Sequence, residues 1–413
     1  MRLMFVVQRY GEDIAGGSEQ CCRLFAEHML QRGHHVEVAT SCARRYTDWV
    51  NEFPAGPTDV NGVTVHRFPV DRPRDAHFSD INWVNVGTNR PVPLFLQEEW
   101  VDRMGPRTVD LPAYLVQRAS DLDVIVFFTY HYFPTVRGLE AVAGKVCTVF
   151  HPTAHHEPGF TVPLYDRLFR LPDAIGYLTV EERGLVEESR GVQTLNDVLG
   201  VGVDLDVEGD GSTFRAAHGL GDEPYLVYVG RVDPGKGSLE AYQYFLTYKE
   251  RNPGPLKLVV VGDQVVPLPP HPDVVLTGFL SEQAKTDALA GSLAFLQPSY
   301  FESFSMALTE AWALERAALV QGRCDVLVGQ SRRSGGAIPY VGFAEFEAAL
   351  DILLAEPAVA ERLGQAGRRY VEQHYAWDVV MENYEALLTD ARTAFERRRS
   401  SSWSVRIASG TPT

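Results

Sequence analysis

Twice in 413 residues the chain runs from a short β-rich apolar stretch through a glycine-bearing polar loop into a segment of helical period. The first instance is Leu3–Val7, the loop Gln8–Ser18, and Ser18–Gln31, where Cys22, Phe25, Ala26 and Met29 fall on one helical face. Gly33 stops that helix and Val36–Thr40 follows as a strand. The second is Tyr225–Val229, the loop GRVDPGKG (Gly230–Gly237), the helix Leu239–Arg251 and the strand Leu256–Val261. Each is a βαβ unit, whose right-handed crossover makes the two strands parallel. More strand-and-helix alternation follows in both halves: Val63–Phe68, Asp123–Phe128, Lys145–Phe150 and Ala174–Thr179 in the first, Val274–Leu276 and Ala294–Gln297 in the second. Asn196–Asp204 closes the first half, and a Gly- and Asp-rich linker, Val207–Asp222, separates the two. This predicts an α/β protein of two Rossmann-like, doubly wound parallel-sheet domains. The length agrees, being too great for one ordinary core.

Charge narrows the function. Lys and Arg number 38 against 54 Asp and Glu, a formal charge of −16. A duplex nucleic-acid binder needs a basic face, so none is expected as a partner. The same balance disfavours an anionic membrane surface and leaves peripheral membrane contact open. The five cysteines, Cys21, Cys22, Cys42, Cys147 and Cys324, have neither C-x-x-C nor zinc spacing and read as free thiols. The first residues lack the features of a secretion signal, and no stretch is apolar enough to span a bilayer, so the expected location is cytoplasmic. Asp71–Pro112, holding Trp83 and Trp100, reads as irregular; its aromatic rings are open to core packing or to stacking on a sugar. Glu361–Gln373 and Trp377–Arg392 read as amphipathic helices, and residues 393–413 as a disordered tail.

Three loops carry chemistry. Gly16, Gly17, Ser18 and Glu19 open the first helix, where backbone amides and the helix dipole suit an anion, or where Ser18 is simply an N-cap. In GRVDPGKG, Arg231 and Lys236 stand at a strand's C-terminal end, where open α/β sheets bind ligands. A guanidinium fork and a compact ammonium together suit a diphosphate. In ESFSMALTE, Glu302 and Glu310 have seven residues between them. Carboxylates accept hydroxyl hydrogen bonds from a ribose or a sugar. The amides of Phe304, Ser305 and Met306, at the helix start between the two, suit a phosphate.

In combination these motifs resemble retaining glycosyltransferases of the GT-B fold, family 4 (glycosyl transferases group 1), over about Met1 to Leu388. The resemblance implies two domains facing across a cleft. Residues 1–205 would form the acceptor side, joined by a crossover helix at about 374–392, and residues 206–373 would bind the donor. It implies that Arg231 and Lys236 hold the donor diphosphate, Glu302 the donor sugar and Glu310 the ribose. Gly17 and Ser18 would close on the phosphates, and the backbone around Phe279 and Leu280 would border the base. The partners implied are a nucleoside-diphosphate sugar and an acceptor hydroxyl, with retention at the anomeric carbon. No cofactor or metal is implied. The family usually carries a histidine near the anomeric centre; in HPTAHHEP both His151, directly after a strand, and His155 qualify. A metal reading of His151, His155, His156 and Glu157 ranks behind, since protein cations replace a metal in the enzymes it resembles. The chain departs from the family in Ala313–Val320, where Gly and Pro are common, and in Phe304–Ser305, where Phe-Gly is common. Rival readings are a sugar-nucleotide epimerase, a glycan phosphorylase, and a non-catalytic nucleotide-sugar or glycan-binding protein.

Overall fold

The structure is a computed structural model that describes residues 1–14, 16–75, 77–88 and 90–408, without the side chains of 401–408. The chain divides into two compact units: Met1–Leu199 with the chain from Met381, and Gly200–Val380.

Unit 1 is built on an eight-stranded sheet in the order β3-β4-β2-β1-β5-β6-β7-β8. Its strands are β1 (Arg2–Val6), β2 (His35–Ser41), β3 (Gly56–Val60), β4 (Val63–Phe68), β5 (Val124–Phe128), β6 (Cys147–His151), β7 (Ala174–Tyr177) and β8 (Leu195–Val198). All neighbours are parallel except the β3–β4 hairpin. Leu3, Met4, Phe5 and Val6 are fully buried, the continuous apolar run that a central parallel strand requires. Strand β3 is an addition to the sequence reading, and its signal is Asn61-Gly62. Both residues have positive φ (52° and 82°), as a two-residue hairpin turn demands.

Three expectations need correction here. The segment 71–112 is not irregular: it holds the helices Phe78–Val86 and Leu94–Met104. Their apolar period is hidden because amides occupy buried positions. Asn85 donates to the Ile81 carbonyl at 2.9 Å. Gln97 donates to the Val92 carbonyl at 2.7 Å and accepts from the Leu164 amide at 2.8 Å. Trp100 belongs to the core and bonds Asn82, whereas Trp83 is 66% exposed. Second, the residues from 393 are not a disordered tail as far as 408, because one helix runs Trp377–Ala408. Phe395 is buried, and Arg392 and Glu396 pair at 2.9 Å one turn apart, so the apolar face outlasts the expected end. Residues 409–413 lie outside the described residues. Third, the Gly/Asp linker contains a helix, Gly211–His218, whose N-terminal amides are capped by the Asp210 carboxylate.

Unit 2 has a six-stranded, all-parallel sheet in the order β11-β10-β9-β12-β13-β14. The strands are β9 (Tyr225–Val229), β10 (Lys257–Val261), β11 (Val274–Gly278), β12 (Ala294–Gln297), β13 (Ala317–Gln321) and β14 (Ala337–Tyr340). After β9 the chain builds outward on one side, then returns to place β12 on the other. β9 and β12 are therefore adjacent, and the loops at their C-terminal ends flank the switch point where doubly wound sheets bind ligands. Among the described residues, no helix is long and apolar enough to cross a membrane. All five cysteines are free and buried.

Candidate active site

The loop after β9 is shaped by its own side chains. Asp233 caps the 3-10 turn Pro234–Lys236 by accepting from the Gly235 amide at 2.9 Å. Ser238 accepts from the Asp233 amide and donates to its carbonyl, both at 3.1 Å. Gly237 has φ 66°, and a Cβ there would stand 2.2 Å from the Pro298 carbonyl oxygen. Only glycine lets this loop press against the loop after β12. That contact delivers Lys236: its Nζ lies 2.8 Å from Glu302 Oε1. Glu302 is 13% exposed, while the Lys236 and Arg231 side chains, at 39% and 38%, remain reachable from solvent. Arg231 Nε is 3.3 Å from Asp233. The strand ends beside them are equally close-packed. A Cβ on Gly262 would meet the Gly230 carbonyl at 2.2 Å, so backbone alone forms this edge.

Past Glu302 the chain turns through Ser305, at φ 75°, before the helix Met306–Ala313 begins. This left-handed backbone explains why glycine suits the position and why serine is a departure there. The Ser305 hydroxyl is fixed by Gln297 at 2.6 Å. The Phe304 side chain is buried, its ring 4.9 Å from Tyr375, and its carbonyl accepts from the Gln330 side-chain amide. Glu310 is engaged by a residue the sequence reading missed, Lys285 of the helix Glu282–Ala290, at 3.0 Å. Lys285 also lies 2.7 Å from Glu282. Burial by itself lowers the Lys285 pKa, but Glu310 and Glu282 together hold it above its ordinary value. Two Lys–Glu pairs thus flank the turn 303–305. Phe279, directly after β11, is 63% exposed, with Leu280 half-buried beside it.

In unit 1 the glycine loop opens the helix Gly17–Gln31. Its Glu19 is held in the interior by Arg9, at 2.8 Å from Nε and 2.5 Å from Nη2, and Ser18 donates to the other carboxylate oxygen at 2.8 Å. Gly16 makes room for this carboxylate, because a Cβ would lie 2.4 Å from Glu19 Oε2. Gly17 differs: a Cβ there meets nothing within 4 Å.

The structure separates the two candidate histidines. His151 ends β6 inside the core, fully buried, stacked on Phe128 at 4.6 Å and beside Phe25 and Tyr384. Burial pushes its pKa down to about 3. As a neutral, enclosed ring it corrects the reading that placed it among reacting groups. His155 keeps 27% of its side chain exposed, with Nδ1 3.7 Å from Glu157 Oε1. The same oxygen receives a hydrogen bond from the Tyr130 hydroxyl at 2.7 Å and stands 3.4 Å from His131 Nδ1. Burial lowers the His131 pKa. His131 and Tyr130 escaped the sequence reading, yet TYHYF follows β5 as HPTAHHEP follows β6, and these two strands pair. Among the described residues no group of three or more His, Cys, Asp or Glu could hold a metal ion.

The family model described as glycosyl transferases group 1 matches residues 210–370. An alpha-D-kanosaminyltransferase of Streptomyces kanamyceticus is 25% identical over 178 residues, covering 39% of this chain and 44% of that relative, so the chain spans less than half of its length. Among solved structures, HepE of Anabaena in complex with UDP and glucose superposes with a TM-score of 0.69 at 14% identity, covering 94% of this chain and 100% of its own. Sucrose-phosphate synthase from Thermosynechococcus elongatus gives 0.69 at 15%, covering 95% and 99%. Trehalose 6-phosphate synthase from Burkholderia multivorans gives 0.68 at 15%, with the same coverage. Residues 210–370 therefore carry the sequence pattern of glycosyl transferases group 1, and the chain has the α/β fold with two parallel-sheet domains of GT-B glycosyltransferases.

Proposed function

We propose that this chain is a retaining, metal-independent glycosyltransferase of family 4. It moves a hexose-type sugar from a nucleoside diphosphate to an acceptor hydroxyl and works in the cytoplasm in glycan biosynthesis. The observation that carries the reading is the 2.8 Å contact of Lys236 with Glu302 at the β9/β12 switch point. It sets a cation for phosphate oxygens directly beside a carboxylate for sugar hydroxyls. As the bond from the anomeric carbon to phosphate oxygen lengthens, negative charge grows on the diphosphate. Arg231 and Lys236, fixed before the donor arrives, stabilise that charge without reorganising. Glu302 orients the sugar. Glu310, steadied by Lys285, accepts from the ribose diol, and the backbone around Phe279 and Leu280 borders the base. The departing phosphate oxygen takes the acceptor's proton. The resemblance of residues 210–370 to group 1 transferases and the UDP complex of HepE favour this over an epimerase or a binding protein.

Replacing Lys236 with Ala removes a charge-assisted contact worth about 1.5–3 kcal/mol, so nucleoside-diphosphate affinity is expected to fall roughly 10- to 100-fold. Glu302→Gln is expected to leave that affinity within a few-fold while lowering kcat far more. Calorimetry with UDP, GDP and ADP, followed by turnover assays with and without acceptor and with EDTA, checks both. Unchanged affinity in Lys236→Ala removes the diphosphate loop. Turnover without acceptor identifies an epimerase, and loss of activity in EDTA ends the metal-free reading.

A further inference from the structure

Unit 1 contains a small, solvent-open concavity with room for about one water-sized group (about 10 Å³), outside the site described for the donor. It lies between the turn 71–75 and the end of the helix Leu94–Met104. Four arginines line it, Arg72, Arg74, Arg103 and Arg107, against two aspartates, in a chain of formal charge −16. Arg74 is held over two aromatic rings, 5.2 Å from the centre of Trp49 and 5.0 Å from that of Phe78. One of its terminal N–H groups donates to the Met104 carbonyl at 3.1 Å. Its Nε is buried and makes no hydrogen bond, and the buried Nε of Arg107 likewise makes none. An Asp102 oxygen stands 3.6 Å from the latter, beyond hydrogen-bond length. Arg107 pairs with Asp71 through its other end, and Arg103 pairs with Asp75 at 2.8 Å and Glu99 at 2.7 Å. Among the described residues, no carboxylate lies within ion-pair distance of Arg72 or Arg74.

Two buried guanidinium donors without a hydrogen bond beside one concavity carry a desolvation cost that an acceptor group there would offset. Trp49, on its wall, packs edge-on against Tyr132 at 5.5 Å, and Tyr132 adjoins His131. We propose that this concavity binds an anionic group, phosphate or carboxylate, carried by the acceptor; the assignment to an acceptor rests on the glycosyltransferase reading. Planar guanidinium forks match the paired oxygens of either group, and the Trp49 and Phe78 rings keep the Arg74 fork in place before the ligand arrives.

The test titrates the full chain in chloride buffer with inorganic phosphate and, separately, with acetate, followed by calorimetry and thermal shift. Saturable millimolar binding of one of them is expected. It should persist in Lys236→Ala and weaken at least fivefold in Arg74→Gln and in Arg72→Gln. Arg72 is exposed, so its variant keeps the fold even where Arg74→Gln does not. Preference for phosphate marks a phosphorylated acceptor, and preference for acetate a carboxylated one. Absence of saturable binding overturns the proposal. So does binding lost in Lys236→Ala but kept in both arginine variants, which sends the anion to the diphosphate loop and leaves the glycosyltransferase reading standing.

Discussion

Gly17 and Gly16 are neighbours with different reasons to be glycine. Gly16 yields space to the Glu19 carboxylate, whereas Gly17 has neither a positive φ nor a neighbour in the way of a side chain. Alanine at Gly17 is therefore expected to leave the melting temperature unchanged or slightly raised, by up to about 1 kcal/mol of stability. If the turn's amides meet a ligand, the added methyl occupies its approach, and kcat/KM is expected to fall at least tenfold. An unchanged kcat/KM detaches GGSE from the site. His151 makes a prediction of the opposite kind, structural rather than catalytic. Its folded pKa of about 3 lies below the ordinary histidine value, so the folded state binds fewer protons than the unfolded one. The stability it contributes is complete above pH 6.5 and is lost as pH falls, at about 1.4 kcal/mol per pH unit. Between pH 7 and pH 5 the urea midpoint of the natural chain is expected to drop by the equivalent of about 2 kcal/mol more than that of His151→Leu. Equal drops refute the assignment. At this scale the sequence disclosed which side chains are candidates for a site better than where each one points. Lys236 and Glu302 were legible because strand, loop and spacing came together. Lys285 was not, because nothing local shows that one helix aims its lysine at a carboxylate on another.

Elements were legible where apolar residues kept their period and hidden where polar residues took buried places. Strands β1, β5, β6, β9 and β10 are near-continuous apolar runs and were placed within a residue or two. The helices within 71–112 were lost because Asn85 and Gln97 sit inward. The close approach of the helix Pro357–His374 to the helix Met306–Ala313 was also beyond a single sequence, since glycines on an amphipathic helix do not say which partner they meet. In the structure Gly364 and Gly367, one turn apart, are its contact face. A Cβ on Gly364 would lie 1.9 Å from the Glu315 carbonyl oxygen, and one on Gly367 would lie 2.2 Å from the Trp312 ring. Trp312 cannot yield easily, being fully buried with its indole N–H bonded to the Gly336 carbonyl at 3.0 Å. Gly364→Ala is expected to cost about 2–3 kcal/mol by forcing the helix outward. Thermal melts of unit 2 signals check this, and a change under about 0.5 kcal/mol contradicts the packing described.

For the molecule as a whole, the repeated strand-loop-helix pattern gave away the two-domain α/β fold early. Each unit has its own core, around Phe127, Phe150 and Tyr165 in one and around Phe245, Leu258 and Leu296 in the other. Calorimetry is expected to resolve two transitions, since separate cores break all-or-none unfolding. A nucleoside diphosphate at about 100 times its Kd should stabilise one of them by about 2.7 kcal/mol. Lys236→Ala should cut that shift to about 0.4–1.4 kcal/mol at the same ligand concentration, and a single transition moving as a block would contradict it. The sequence could not foretell how far the last helix serves unit 1. Its Tyr384 meets Phe25 edge-on at 4.7 Å, with Leu388 and Phe395 buried further along. This return has a bearing on synthesis. A nascent chain that has emerged through Gly200–Val380 has everything unit 2 needs, while the Phe25 face of unit 1 still lacks its cover. The first-made unit is therefore the last to be finished. Until the ribosome has delivered Tyr384, that greasy face is open to chaperones and to aggregation.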